Sequence, residues 1–351
     1  MFGLSRKRKS VPTGCDCGQA WVKVVGLHKG KQGVELHRAG RMPWFGRDRD
    51  KPERLAAALA TLYTHLELKA SVVITSLAGH SVIIKRLSLS PSQAEELPDS
   101  LHTLATKHIP FDVQDVCLDY QILSPGPGTG TQTVLLVASK KQMIHETQAL
   151  LTQAGLETSV IDVDGFALCN CFEFNYPEVQ EETVALLDIG ASQSTFCVLN
   201  GHHPLFVRDA GFGGQQLTDR LVQVLDLSYR EAETLKWRDP LSLQGDARTG
   251  VDHESQAQFM SWTEEVQRLL HYYSNSLAQA PHPQRLYLSG GGSLQPGLDT
   301  ALQETLNLEV TFLDPWRQCR IDDALFDPGY LKSIGPQFAV AMGLALRGVL
   351  C

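Results

Sequence analysis

Two short stretches set a carboxylate beside a glycine at the end of an apolar run. In one, Val184 to Leu187 leads into Asp188-Ile189-Gly190-Ala191-Ser192; in the other, Asp16 and Gly18 precede the alternating Trp21, Val22, Lys23, Val24 and Val25. A tight turn of small residues can bring backbone N–H groups and one carboxylate up to a phosphate and its metal. Each stretch continues in the same order. A strand comes first, then a glycine turn (Lys29 to Gly33; Asn200-Gly201), then a second strand (Val34 to Arg38; Pro204 to Arg208). Asn200-Gly201 reads as a type I′ turn with both residues at positive φ. Alone, either copy is an ordinary hairpin; duplicated, they imply two similar lobes whose turns face each other across a cleft. A third feature is the run Gly290-Gly291-Gly292 between the strand Arg285 to Ser289 and a helix start. Glycine puts bare backbone beside whatever enters, and the N–H groups of a helix start suit phosphate or ribose. The spacing is neither the Walker A pattern nor G-x-G-x-x-G, and a structural glycine turn would also explain it.

The elements that must position these turns follow from periodicity. Leu55, Leu59, Leu62 and Leu66 give an amphipathic helix over 53–67,. A strand is expected over Ser71 to Thr75 and another over Val82 to Leu89, then a helical segment from Glu95 to Lys107 interrupted by Pro98. Strands at Val116 to Leu123, Thr133 to Ala138 and Val160 to Val163, a loop at 124–130 and a helix over 140–154 stopped by Gly155 complete a block at 80–163,. That block reads as an α+β subdomain inserted into the first lobe. A helix over 165–175 leads to the second lobe. There Gly211 to Thr218 is a glycine-rich turn into a helix, and Ser228 with Glu231 forms a capping box,. Residues 239–253 read as an exposed loop, followed by a long helix from Glu254 to Ala280 and a last apolar helix from Phe338 to Leu350.

Composition excludes several classes. A chain of 351 residues, 43% hydrophobic, supports two or three cores, and its net charge of −8 disfavours nucleic acid,. The one basic cluster, Arg6 to Lys9, reads as a solvated tail,. No run reaches the eighteen or so apolar residues of a membrane span, and Arg6 to Ser10 is followed by no signal-peptide core. Eight cysteines are few for a disulfide scaffold; Cys15/Cys17 and Cys169/Cys171 lack metal-site spacing and matching histidines,. A protein of the reducing cytoplasm is expected.

Two acidic turns and a glycine platform, in that order, resemble the actin-like ATPase superfamily, and within it the FtsA/PilM family. The matching stretches are Leu187 to Ser192, Phe212 to Thr218, Glu231 to Lys236, Leu288 to Gly292 with Pro296 to Leu298, and Ala341 to Arg347. The resemblance implies an α/β, actin-like (ribonuclease H-like) two-lobe duplication with an inserted 1C-type α+β subdomain. Its parts would be 1–79 (first lobe, 1A in part), 80–163 (1C-like insert), 164–182 (return and inter-lobe helix), 183–336 (second lobe, 2A/2B) and 337–351 (a C-terminal helix packing back on the core). It further implies ATP or ADP with Mg²⁺, Asp16 and Asp188 facing the metal mostly through water. Gly18, Gln19, Gly190, Ala191 and Ser192 would line the phosphates, Lys23 would contact one, and Gly213 and Gly214 would approach from the second lobe. Glu233 and Lys236 would border ribose and base, with Gly290, Gly291 and Gly292 under the adenosine. For Lys23 an ordinary surface lysine is the competing reading. The first turn departs from the family pattern: Gly18-Gln19-Ala20-Trp21 lacks the usual hydroxyl, and no residue stands out to orient an attacking water. Nucleotide binding with weak or absent hydrolysis is therefore expected.

Such a protein would be a cytoplasmic assembly platform of the type IV pilus machinery, associated with the inner membrane through its partners. It would bind the cytoplasmic N-terminal segment of PilN, and through it join PilO, PilP and the motor ATPases; a homodimer is admitted. A sugar-kinase-type phosphotransfer enzyme would need a catalytic aspartate over a first-lobe pocket. An FtsA-like filament former would carry a C-terminal membrane helix.

Overall fold

The computed structural model describes residues 12–44, 51–68, 72–79, 82–125, 130–237, 245–277 and 279–350. The basic cluster Arg6 to Lys9 and most of the 124–130 loop lie outside them. The chain opens with β1 (Thr13–Cys17), β2 (Trp21–Gly30), β3 (Gly33–Pro43), α1 (Pro52–His65) and β4 (Val72–Leu77). Next come β5 (Val82–Leu89), α2 (Pro91–Glu95), α3 (Leu97–His108), β6 (Val116–Pro125), β7 (Gln132–Lys140), α4 (Lys141–Gln153), β8 (Glu157–Val163) and α5 (Asp164–Asn175). The rest is β9 (Thr183–Ile189), β10 (Ser194–Asn200), β11 (His203–Ala210), α6 (Gly214–Leu225), α7 (Tyr229–Lys236), α8 (Gly245–Ser276), β12 (Arg285–Ser289), α9 (Leu298–Leu306), β13 (Glu309–Phe312), α10 (Pro328–Ile334) and α11 (Ala339–Leu350).

Two five-stranded sheets repeat one topology, β3-β2-β1-β4-β8 and β11-β10-β9-β12-β13. In each, three antiparallel strands are joined by two parallel ones. β1 and β9 occupy equivalent central places, so Asp16 and Asp188 stand at equivalent points near the ends of their strands. The cross-strand row through Asp16 continues to Lys23 and Arg41; the row through Asp188 continues to Thr195 and Asp209. The duplication thus keeps the acids and changes their neighbours.

Several elements differ from expectation. β5, β7 and β6 form a sheet of their own, but β8 pairs in parallel with β4, and α4 packs on α1. The last strand of the 80–163 block therefore belongs to the first-lobe sheet. Pro98 does not interrupt a helix: the break falls at Glu96, and Pro98 sits in the first turn of α3, where no N–H is needed,. α8 starts at Gly245, inside the stretch expected as loop, because Val251 is buried against Leu217, Leu221 and Ala232. Asn200 stays in β10, paired with His203, and Gly201 (φ 58°) begins the turn instead. Positive φ at the first turn position alone is the type II′ pattern. The Ser228–Glu231 capping box forms as expected.

One run does reach membrane-spanning length: Pro328–Leu350, 23 residues, holds an 18-residue window of mean hydropathy 1.3, but 72% of that window is buried inside the protein. It is divided into α10 and α11 at Gly335–Phe338, and α11 lies against α5, β1 and β2. Its apolarity serves the core between the lobes, where Phe338, Met342 and Leu346 meet Phe172, Leu186 and Val25.

Candidate functional site

Between the lobes lies a cleft of about 810 Å³. Thirteen of the residues singled out from sequence line it: Asp16, Gly18, Gln19, Lys23, Asp188, Gly190, Ala191, Ser192, Gly214, Glu233, Lys236, Gly291 and Gly292. The duplicated sheets account for this convergence, since each brings its acid to the same end of its central strand.

Gly213 and Gly290 do not line the cleft. Gly290 (φ 83°) is packed so closely that a Cβ would stand 2.3 Å from the carbonyl oxygen of Ile189. Its N–H donates to Pro336 O at 2.8 Å. Gly213 lies against the carbonyls of Gly190 and Ala191, where a Cβ would sit within 2.8 Å of both oxygens. Those same carbonyls accept the first N–H groups of α6, Gly214 N to Gly190 O at 2.9 Å and Gln215 N to Ala191 O at 2.7 Å. This helix start is spent on bracing the Asp188 turn. Both glycines shape the site from behind.

On the first-lobe side, Lys23 Nζ donates to Asp16 Oδ2 at 2.6 Å. Burial works to lower the pKa of this ammonium, but Asp16, with Asp188 and Asp164 beyond it, outweighs burial and raises it above the ordinary lysine value,. Lys23 is thus a charged cleft residue paired with Asp16 within the first lobe, not a surface lysine. The turn at 18–20 is clamped by Trp44, whose Nε1 donates to Gly18 O at 2.7 Å and whose N donates to Ala20 O at 2.9 Å. Trp21 is covered by the Arg41 guanidinium, 4.6 Å from its ring centre, and Arg41 in turn donates to Gln337. Trp21 therefore forms one wall of the cleft without filling it.

On the second-lobe side, Asp188 accepts from Ser289 Oγ at 2.8 Å. Burial pushes its carboxyl up to about 6, with Asp16 and Asp209 adding to the shift and Lys23 and Ser289 opposing it. Lys236 is buried, and its ammonium donates to Thr218 Oγ1 at 2.9 Å, Glu233 Oε2 at 2.7 Å and Gly214 O at 3.2 Å. Those three bonds use all its donors, so Lys236 ties α7 to α6, and burial holds its pKa below the ordinary lysine value. Glu233 Oε1 accepts Trp237 Nε1 at 3.2 Å, which orients an indole that is 38% exposed and lines the same cleft.

Sequence reasoning missed two cleft residues, Asp164 and Trp237, and the buried Ser289 that bonds Asp188 from behind. Asp164, at the start of α5, lines the cleft, and burial together with Asp16 pushes its carboxyl up to about 7. Its signal was an acid directly after an apolar strand, the same pattern as Asp188. Ser289 and Trp237 carried no local signal; their roles come from parallel pairing with β9 and from the end of α7.

The crowding of Asp16, Asp164 and Asp188 makes a testable pH dependence. Asp164 and Asp188 bind protons in the folded state at pH values where the unfolded chain has lost them, so stability falls as pH rises from near 4 towards 7,. The ligand-free protein should show a higher urea midpoint at about pH 5 than at about pH 8, and Asp164→Asn should remove most of that difference. An unchanged pH dependence in this variant would show that Asp164 is not held as the geometry indicates.

The residues suit a hydrated hard cation beside phosphate: the donors Asp16 and Asp188 are all oxygen, and Lys23 is cationic. Gln19 adds an acceptor, its Oε1 being buried with no hydrogen-bond partner. The type IV pilus assembly protein PilM family model matches residues 14–349. Among solved structures, a chain of the PilM-PilN type IV pilus biogenesis complex matches with a TM-score of 0.85 at 26% identity, covering 97% of this chain and 98% of that one. The ethanolamine utilization protein EutJ from Carboxydothermus hydrogenoformans matches with a TM-score of 0.55 at 14% identity, over 95% of this chain and 89% of that one, a likeness of fold alone. The duplicated two-lobe α/β architecture is that of the actin-like ATPase fold.

Proposed function

The chain belongs to the PilM family of type IV pilus assembly proteins, and from that premise we propose that it is a pilus assembly platform that binds the cytoplasmic N-terminal segment of PilN. The full-length likeness to a chain of the PilM-PilN complex carries this reading. The platform works at the cytoplasmic face of the inner membrane, held there by its partners. Through PilN it joins PilO and PilP to the motor ATPases, and it pairs with a second copy of itself where the assembly requires one.

The inter-lobe cleft takes ATP or ADP with Mg²⁺. Asp16 and Asp188 would hold the ion, and the unpartnered Gln19 Oε1 would accept from a water or a ligand hydroxyl. A bound Mg²⁺ would screen phosphate charge. Lys23 places a positive charge between the lobes, where it attracts phosphate, and the turns at 18–19 and 190–192 approach the phosphates through their backbone. Gly291 and Gly292 give the nucleoside a surface without side chains, and Trp237 offers its exposed face to the base. Among the described cleft residues, the first turn offers the γ-phosphate no hydroxyl, since Gln19 and Ala20 stand where relatives carry Ser or Thr. The cleft is accordingly suited to holding nucleotide as a conformational brace, with slow turnover or none.

The PilN segment lies along the apolar arm of the same cleft, toward Leu55, Met143, Thr147 and Leu150 on α1 and α4. An amphipathic peptide suits that arm, as its apolar side chains would cover the partly exposed Met143 and Leu150. Fluorescence anisotropy with a labelled peptide copying the cognate PilN N-terminus should give saturable binding with a Kd on the order of 1–10 μM. Met143→Asp should weaken it at least about tenfold, the scale of placing a charge in an apolar contact. Absence of saturable binding to the wild type would overturn the platform reading.

A further inference from the structure

Strand β11 touches the insert's root and its first strand, and the first of these contacts adjoins the cleft-lining Ala78 and Thr195. Asp209, near its end, accepts from Gly79 N at 2.6 Å through Oδ2 and from Thr195 Oγ1 at 2.7 Å through Oδ1. Gly79 lies in the short passage from β4 of the first lobe to β5 of the insert. Thr195 is the cross-strand neighbour of Asp188 on one side and of Asp209 on the other. The turn between β9 and β10 also touches this passage directly. A Cβ on Gly79 would stand 2.6 Å from Oε1 of Gln193, a residue that itself lines the cleft. Farther along, Arg86 of β5 donates from Nη1 to Pro204 O at 3.1 Å, beside the bulge in β11. A single second-lobe strand therefore grips the insert at its root and on its first strand.

We propose that Asp209 is a positioning residue that couples nucleotide in the inter-lobe cleft to partner binding by the insert and first lobe, a role that rests on the platform reading above. A ligand drawn to Asp188 and to the Gly190–Ser192 turn acts on the β9–β10 hairpin. Thr195 passes any rotation of that hairpin to Asp209, and Asp209 passes it to the Gly79 passage on which the insert swings. Asp209 lies outside the cleft lining and acts through Thr195 and Gly79. Among the described residues the first lobe shows no such device, because Arg41 occupies the equivalent place and bonds to Gln337 instead. The asymmetry assigns the linking function to the second lobe.

The test measures the Kd of the PilN-derived peptide with and without saturating Mg·ATP, for the wild type, Asp209→Ala and Asp209→Asn. In the wild type the two values should differ by roughly tenfold, a common size for coupling between distinct sites. In Asp209→Ala the ratio should fall to about one, while each ligand alone binds within about threefold of wild type. Asp209→Asn, which keeps one acceptor, should retain part of the ratio. Hydrogen exchange at the Gly79 amide should speed up in Asp209→Ala with exchange in the sheet cores unchanged, which separates a lost tether from a damaged fold. A wild-type ratio of one, or an unaltered ratio in Asp209→Ala, overturns the coupling while leaving the platform reading intact. Failure of the wild type to bind peptide at all overturns that reading first, and the coupling with it.

Discussion

Asp188→Ala should weaken Mg·ATP binding by roughly a hundredfold in calorimetric titration, about the 1.5–3 kcal/mol expected for losing a contact to a charged group. The same substitution should leave the ligand-free protein as stable as the wild type or more so. Both halves follow from one geometry. Asp188 ends β9 among Asp16, Asp164 and Lys23, and burial raises its carboxyl to about 6. A carboxyl held above its unfolded value costs the folded state stability wherever it is ionised, here at neutral pH and above. Ionised Asp188 therefore costs the folded state stability, a cost that a cation beside it would relieve,. Asp188→Asn, which keeps an acceptor for Ser289 Oγ, should weaken binding similarly while sparing that hydrogen bond. A residue serving only the hairpin would behave in the opposite way, losing stability on substitution and leaving nucleotide affinity unchanged.

Gly343→Ala should lower unfolding stability by about 3 kcal/mol or more, at the upper end of the range for overpacking. α11 crosses α5 with backbone against backbone at this residue, and a Cβ on Gly343 would stand 1.7 Å from the carbonyl oxygen of Ala167. No flexible side chain can yield there, so one of the two helices must shift. Gly14 on β1 meets α11 in the same manner, since a Cβ there would stand 2.1 Å from the carbonyl oxygen of Ala341. The helix is thus locked between the lobes, and the shift would disturb the strands that end in Asp16 and Asp188. The check is a urea unfolding curve read by circular dichroism. An unchanged midpoint would mean that the apolar run Pro328–Leu350 is not an integral core element.

The acids were legible before the structure because a D-x-G turn followed by strand, glycine turn and strand is a local pattern, and it occurs twice. Helix α1 and the capping box at Ser228 were legible for the same reason. What was not legible depends on pairing over long distances. β8 joins β4 across the whole insert, which no local composition marks. α8 extends back to Gly245 through a polar stretch because Val251 finds buried partners on α6 and α7, a tertiary effect that overrides weak helix propensity. Gly213 and Gly290 were expected to approach the nucleotide, but what packs against them is the protein's own backbone. Asp164 and Asp209 gain their roles by converging on Asp188 from other elements, and Asp209 stands where the first lobe has Arg41. Lys236 shows the limit in the other direction: its place beside the cleft was legible, but not that its three donors are already taken.

Photolabelling with 8-azido-ATP, followed by peptide mapping, tests most directly that the inter-lobe cleft holds nucleotide. Label should appear on the segments 233–237 or 290–294, disappear with excess Mg·ATP, and be lost in Asp188→Ala. Label that no excess of Mg·ATP displaces, or displaceable label that maps to neither segment, would contradict nucleotide binding in this cleft.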